Sequence, residues 1–198
     1  MKNRFIENSV SFISKNMDCD EEKTLKLKYG LEGIYLTITK LILITTLAFI
    51  LGIFKEYLVS LLLFNVIRFT AFGFHANESS TCLIFSSILF VGIPLLFTNF
   101  NFSIYSILLL EVISSLILLV YAPADTEKRP LPNSRKRKIR KMATMIIAII
   151  YIILTILFKG FFANMFCIAL VIEAIMVNPI TYKFFGQTYR NYFNYKSA

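Results

Sequence analysis

A chain of 198 residues, 57% of them hydrophobic, with 20 phenylalanines and no tryptophan, is long enough to bury a soluble core. Its apolar residues fall instead into long, nearly charge-free runs, which excludes an ordinary soluble domain built from amphipathic elements. The net charge of +9 is concentrated largely in one loop, and with no soluble domain to carry it nucleic-acid binding is not expected.

The N-terminus, MKNRFIENSVSFISKNMDCDEEKTLKLKYGLEG, is charged and polar well before the first apolar run, so no cleavable signal peptide is read there. Phe5, Ile6, Val10, Phe12, Ile13 and Met17 would form an apolar stripe on a helix lying at a membrane surface; a frayed polar tail is the alternative. A second short helix is predicted after Asp20, with Glu21 and Glu22 at the positive end of its dipole. Six apolar runs follow: LTITKLILITTLAFILGIF, YLVSLLLFNVI, CLIFSSILFVGIPLLF, FSIYSILLLEVISSLILLVY, MATMIIAIIYIILTILF and FFANMFCIALVIEAIMV. A hydrocarbon core of about 30 Å takes roughly 20 helical residues, with about 17 as the lower limit. Five runs reach or approach that length, and the second does so only if it continues through Arg68 to Phe74. The pattern predicts an all-α, polytopic membrane protein with about six transmembrane helices and N-terminal amphipathic interfacial helices. Residues 1–33 would be the interfacial segment, 34–180 the six-span domain, and 181–198 a tail.

Between Asp125 and Lys141, DTEKRPLPNSRKRKIRK carries Lys128, Arg129, Arg135, Lys136, Arg137, Lys138, Arg140 and Lys141 against two acidic residues. Such a loop belongs on the cytoplasmic side of the membrane. Alternation then places 98–102, Lys55–Glu56 and Lys159–Gly160 outside, and puts both termini and the turn 75–82 inside. Each outside loop carries at most one basic residue. Juxtamembrane basic residues also attract anionic lipid, so the cluster is open to two uses: contact with the lipid bilayer alone, or the holding of an acidic partner as well.

The chemistry gathers in IRFTAFGFHANESSTC, residues 67–82, which holds the only histidine and one of three cysteines. Cys19 stands among Asp18, Asp20, Glu21 and Glu22, which disfavour a thiolate, and Cys167 lies mid-run; three such positions make no disulfide framework. Arg68, His75 and Cys82 are spaced seven and seven. On one unbroken helix, seven residues separate the groups by about 10.5 Å along the axis. A base must come within about 3 Å of its proton, or reach it through one water. The polar break ANESST offers a turn that would bring His75 back to the thiol, with Gly73 relaxing the backbone before it. With Ser79 or Ser80 as N-cap, Cys82 falls at the third or second position of the following helix, where free N–H groups favour a thiolate and would serve as oxyanion donors. Read from residue types alone, a Cys82–His75 nucleophile and base stands beside a structural histidine and an inert cysteine. Arg68 at membrane depth demands a partner or hydration.

These segments resemble the AgrB family, the membrane cysteine endopeptidases that process precursor peptides of bacterial quorum-sensing signals. The resemblance is carried by KYGLE (28–32), RFTAFGFHANESSTC (68–82) and YAPADTEKRPLP (121–132) with the basic run behind it. It implies that His75 and Cys82 are the catalytic pair, that Arg68 and Gly73 support them, and that Lys128, Arg129, Arg135, Lys136, Arg137 and Lys138 engage the substrate. That substrate would be an AgrD-like propeptide with an acidic C-terminal tail. Cleavage through a thioester on Cys82 would be followed by thiolactone or lactone closure of the autoinducing peptide. No metal or cofactor is implied. No clear third catalytic group is read: Glu78 is nearby but also suits an exposed loop, and Asp125 is only a distant candidate; a homodimer is compatible with so small a membrane enzyme. Two other classes stay in view: a small transporter or channel using Arg68, Glu111, Glu173 and Lys40 along a substrate path, and a scaffold anchoring a partner through the basic loop.

Overall fold

The computed structural model describes residues 2–16, 20–75, 78–127 and 130–193, and the regular structure among them is helical. The chain divides into two compact units, residues 1–47 and 48–198.

In the first unit, α1 spans Lys2–Asn16 and α2 spans Glu21–Ile50, running on past the unit boundary. α1 has the expected two-faced character: Ile6 is buried, while Phe5 and Phe12 stand exposed one turn pair apart. The ring of Phe5 lies 5.6 Å from that of Tyr35 on α2. The helix start after Asp20 is where the sequence places it, because the Asp20 carboxylate accepts from the Lys23 N–H at 2.8 Å. The second element is not short, however. It continues for 30 residues through the first apolar run, as nothing between Leu31 and Leu36 breaks the ladder.

In the second unit, α3 (Phe54–Ala71) is followed by a rod over Ser79–Asn99 made of α4 (Ser79–Ser87), a π-helical turn (Ile88–Gly92) and α5 (Ile93–Asn99). The π turn has a covalent reason. Pro94 has no N–H to give, and widening the ladder lets the Ile93 N–H reach the Ile88 carbonyl. Then come α6 (Ile104–Tyr121), α7 (Ser134–Phe158), α8 (Gly160–Val177) and α9 (Pro179–Phe184). Five helical segments among the described residues are long and apolar enough to cross a membrane: 22–50, 79–99, 104–121, 134–158 and 160–177. α3 matches α6 and α8 at 18 residues but carries Lys55, Glu56 and Arg68. The protein is therefore the all-α membrane protein that its apolar runs predict.

α8 stands at the centre of this unit, packed against α3, α6 and α7. Ala163, Ala169 and Ala174 let the neighbours approach closely, and Ile168, Leu170 and Ile172 are fully buried. α7 is clamped by a polar stripe at helical spacing. Thr144 donates to Thr70 on α3 at 3.0 Å, Tyr151 to the Leu63 carbonyl at 2.8 Å, and Thr155 to Glu111 on α6 at 2.6 Å. In lipid, where apolar contact confers little preference for protein over tails, such bonds help fix helix pairing. Ile146, Ile149, Ile153 and Ile156 stay exposed on the outer face of α7, as a lipid-facing surface requires.

Candidate functional site

The site lies where the end of α3, the start of α4, the end of α6, the start of α7 and the segment after α8 come together. Arg68, near the last turn of α3, organises it. Its guanidinium donates to the carbonyls of Phe72, Gly73 (3.1 Å) and Phe74 (2.6 Å) and lies 3.5 Å from the Glu173 carboxylate on α8. The pair is an ion contact rather than a hydrogen bond, since both Glu173 oxygens lack a hydrogen-bond partner. The charge that looked hard to place in a membrane is thus answered by a buried carboxylate and by three peptide dipoles of its own following loop.

Gly73 completes the clamp. Its φ of +126° is open to glycine, and a Cβ there would lie 2.3 Å from Arg68 Nη1 and 2.8 Å from the Met176 carbonyl oxygen. The next N–H, of Phe74, donates to that same Met176 carbonyl at 2.8 Å. The backbone entering His75 is therefore held to the end of α8 on one side and by Arg68 on the other. His75 is exposed and shares a cavity of about 270 Å³ with Asn65, Arg68, Phe69 and Phe72.

Cys82 is unbridged and half-buried in the first turn of α4, with its Sγ 4.0 Å from Ser86 Oγ. Glu78, not Ser79 or Ser80, occupies the N-cap position, which moves Cys82 to the fourth helical residue. Glu78 has the extended φ/ψ a cap needs, and its carboxylate accepts from the Thr81 hydroxyl at 3.3 Å. The Cys82 N–H already donates to the Glu78 carbonyl at 3.0 Å and so is not an oxyanion donor. The N–H groups of Ser79, Ser80 and Thr81 precede the helix ladder and keep that role open.

The two segments meet through aromatic rings. Phe74, next to His75, packs edge-on against Phe85, one turn beyond Cys82, with centroids 5.7 Å apart. Phe185 stacks on Phe74 at 4.6 Å and contacts Phe85 at 5.0 Å, closing the cluster from the C-terminal side. Residues 76 and 77, between the two, lie outside the described residues.

Asp125, considered above only as a remote third catalytic group, is 1% exposed and already committed. Its carboxylate accepts from the N–H groups of Asn191 (2.9 Å), Tyr192 (2.8 Å) and Leu131 (3.3 Å). Beside it the Ala124 N–H donates to the Ala71 carbonyl, and the buried Tyr182 hydroxyl donates to the Asp125 carbonyl at 3.1 Å. Burial pushes the Tyr182 hydroxyl pKa well up, so it stays a donor. The chain after α9 then acts as a strap. Gln187 Nε2 donates to the His75 carbonyl at 2.8 Å, Thr188 to Glu127, and the Tyr189 hydroxyl to the Tyr121 carbonyl. Sequence reading missed Asp125, Gln187 and Tyr182 as organisers.

Among the proposed substrate residues, Arg135, Lys136 and Lys138 are exposed on the first turns of α7. Arg137 is occupied, donating to the Leu131 and Pro132 carbonyls and lying 4.0 Å over the Tyr192 ring. Lys128 and Arg129 lie outside the described residues. Of the charges considered for a transport path, Arg68 and Glu173 pair with each other and Glu111 is bonded to Thr155.

The sequence model described as AgrB, Accessory gene regulator B, matches residues 6–177. The chain belongs to the AgrB family. It is 35% identical over 175 residues to Accessory gene regulator protein B of Staphylococcus aureus strain Newman, covering 88% of this chain and 92% of that one. A Putative AgrB-like protein of Clostridium acetobutylicum is 31% identical over 185 residues, 93% of this chain and 88% of the relative. The homologue from S. aureus strain MRSA252 is 33% identical over 177 residues, 89% and 94% of the two chains. No solved structure matches. Membership ties the chain to the accessory gene regulator system of quorum sensing.

Proposed function

We propose that the protein is a membrane-embedded cysteine endopeptidase that trims an AgrD-like propeptide and promotes its cyclisation. The observation that carries this reading is the docking of the clamped His75 loop, through Phe74, onto Phe85 of α4, one turn beyond Cys82. The contact supports the reading because it sets the His75 segment against the helix that carries Cys82, and the proposed reaction needs the imidazole within about 3 Å of the thiol, directly or through one water.

In the proposed reaction His75 takes the Cys82 proton, and the thiolate attacks a peptide carbonyl at the junction with the acidic tail. Collapse of the tetrahedral species breaks the C–N bond, and the proton passes from His75 to the leaving amine. The retained peptide is then held as a thioester on Cys82. A cysteine or serine side chain of that peptide attacks the thioester, closing a thiolactone or lactone, and Cys82 recovers its proton. N–H groups of Ser79, Ser80 or Thr81 would receive the oxyanion. Arg68 and Gly73 are positioning residues: they shape the backbone that presents His75. Arg135 and Lys136, with Lys128 and Arg129, are the basic residues for the acidic tail, and Arg137 shapes their surroundings; Lys138 lines a neighbouring cavity instead. By the rule that basic loops stay inside, these residues argue for a cytoplasmic position of this end and the active site, and of both termini with α3 as a sixth crossing. A homodimer is compatible with this scheme, which calls for no metal, cofactor or nucleic acid.

The test is co-expression with a cognate tagged precursor. Cys82→Ala and His75→Ala are expected to leave the precursor uncut while the protein still inserts in the membrane. Cleavage by Cys82→Ala overturns the proposal.

A further inference from the structure

A second cavity of about 270 Å³ opens at the same end of the molecule, away from His75, between the end of α6, the first turns of α7 and residues 189–192. We propose that it binds the phosphate headgroup of an anionic glycerophospholipid, with Lys138, Lys141 and Arg190 as its cationic ligands.

Charge is the first argument. Lys138, Lys141 and Arg190 come to the cavity from two separate segments, and among the described residues none of them forms an ion pair. The acidic residue in the lining is Asp125, and its carboxylate is spent on three backbone N–H groups. The cavity therefore carries uncompensated positive charge around a space far larger than the roughly 30 Å³ share of one water.

Height is the second argument. Lys141 is the last charged residue before the apolar stretch 142–158. That stretch, at 1.5 Å per residue, is about 26 Å long and close to the thickness of a hydrocarbon core. The cavity thus sits at headgroup level, where Tyr121, Tyr189 and Tyr192 supply the aromatic side chains expected at an interface. Apolar side chains lead from it toward the membrane. Val120, in the lining, is 58% exposed, and Met142, just beyond Lys141, is 65% exposed. A headgroup in the cavity would lay its acyl chains along this surface, an arrangement that a free anion or a hydrophilic peptide does not use.

The test uses the full-length protein in mixed micelles holding equal amounts of phosphatidylglycerol and phosphatidylcholine, with bound lipid counted by native mass spectrometry. Preferential retention of phosphatidylglycerol is expected, weakened about thirty-fold in K141Q/R190Q, at the strength usual for two basic residues at an anionic surface. Arg190 lies against the Tyr189 ring, so K138Q/K141Q is the second variant and is expected to fall as far. R135Q/K136Q removes the same charge from exposed side chains outside the cavity and should retain lipid like the parent. Equal retention of phosphatidylcholine, or equal loss in R135Q/K136Q, overturns the site. Displacement of the lipid by millimolar inorganic phosphate would assign the cavity to a free anion. Displacement by hexaglutamate would assign it to an acidic peptide. Either result overturns the proposal.

Discussion

Removing one partner of the Arg68–Glu173 pair separates two roles that the same guanidinium holds. At 3.5 Å and an effective dielectric of about 20, the pair interacts by roughly 5 kcal/mol before desolvation is counted. Breaking a buried pair from one side commonly costs about 3–5 kcal/mol. Glu173→Gln removes the carboxylate but leaves Arg68, which is 13% exposed, with its three loop carbonyls. The expected loss is about 2–3 kcal/mol, with the His75 loop still in place. Arg68→Gln strands a fully buried carboxylate and also releases the carbonyls of Phe72, Gly73 and Phe74, so it should cost at least about 4 kcal/mol and abolish cleavage. The double variant should recover about 2 kcal/mol relative to the sum of the singles, because the stranded charge is gone. Denaturant unfolding in lipid–detergent micelles gives the stabilities, and precursor cleavage on a gel gives the activities. Additive stabilities, with coupling under about 0.5 kcal/mol, would refute the ion pair. Loss of cleavage in folded Glu173→Gln as complete as in Arg68→Gln would refute the division of roles, and would move Glu173 into the chemistry.

Gly73→Ala should lower stability by about 1–3 kcal/mol through its strained φ, and cut cleavage further by forcing the loop away from Met176; unfolding and cleavage measured side by side check this. Asp125→Ala leaves three backbone N–H groups without their acceptor, so limited proteolysis should begin to cut the segment after residue 186, which the parent protects. Gln187→Ala removes one bond to the His75 carbonyl and is expected to cost about 1 kcal/mol, with cleavage reduced rather than lost. A membrane-impermeant maleimide applied to unsealed membranes should label Cys82, which is half-buried, and spare Cys167, which is fully buried; peptide mapping by mass spectrometry reads the result, and equal labelling contradicts the packing of α8.

The apolar runs marked the helices because a membrane leaves few other ways to satisfy a backbone, and the order arginine, glycine, histidine, cysteine marked the candidate site. What stayed hidden was pairing at a distance. Glu173 lies 105 positions after Arg68, and nothing local to either residue names the other. The cap failed for a different reason. Ser79 and Ser80 have the better capping side chains, but φ/ψ decides the position, and the chain bends at Glu78. Asp125 read as a spare acid because its partners are backbone N–H groups of the tail, which no residue type announces. The stripe Thr144, Tyr151, Thr155 on α7 has a helical period, but it is masked by the strongly apolar run that contains it.

The strap after α9 has a consequence in time. A chain made from its N-terminus presents Arg68, His75 and Cys82 early, yet Gln187, Asn191 and Tyr192, which hold the His75 loop and Asp125 in place, come more than a hundred residues later. The proposed nucleophile and base exist before their setting does. On the proposed reading, a chain made only as far as α8 would carry every reacting atom and still hold the His75 loop without its strap.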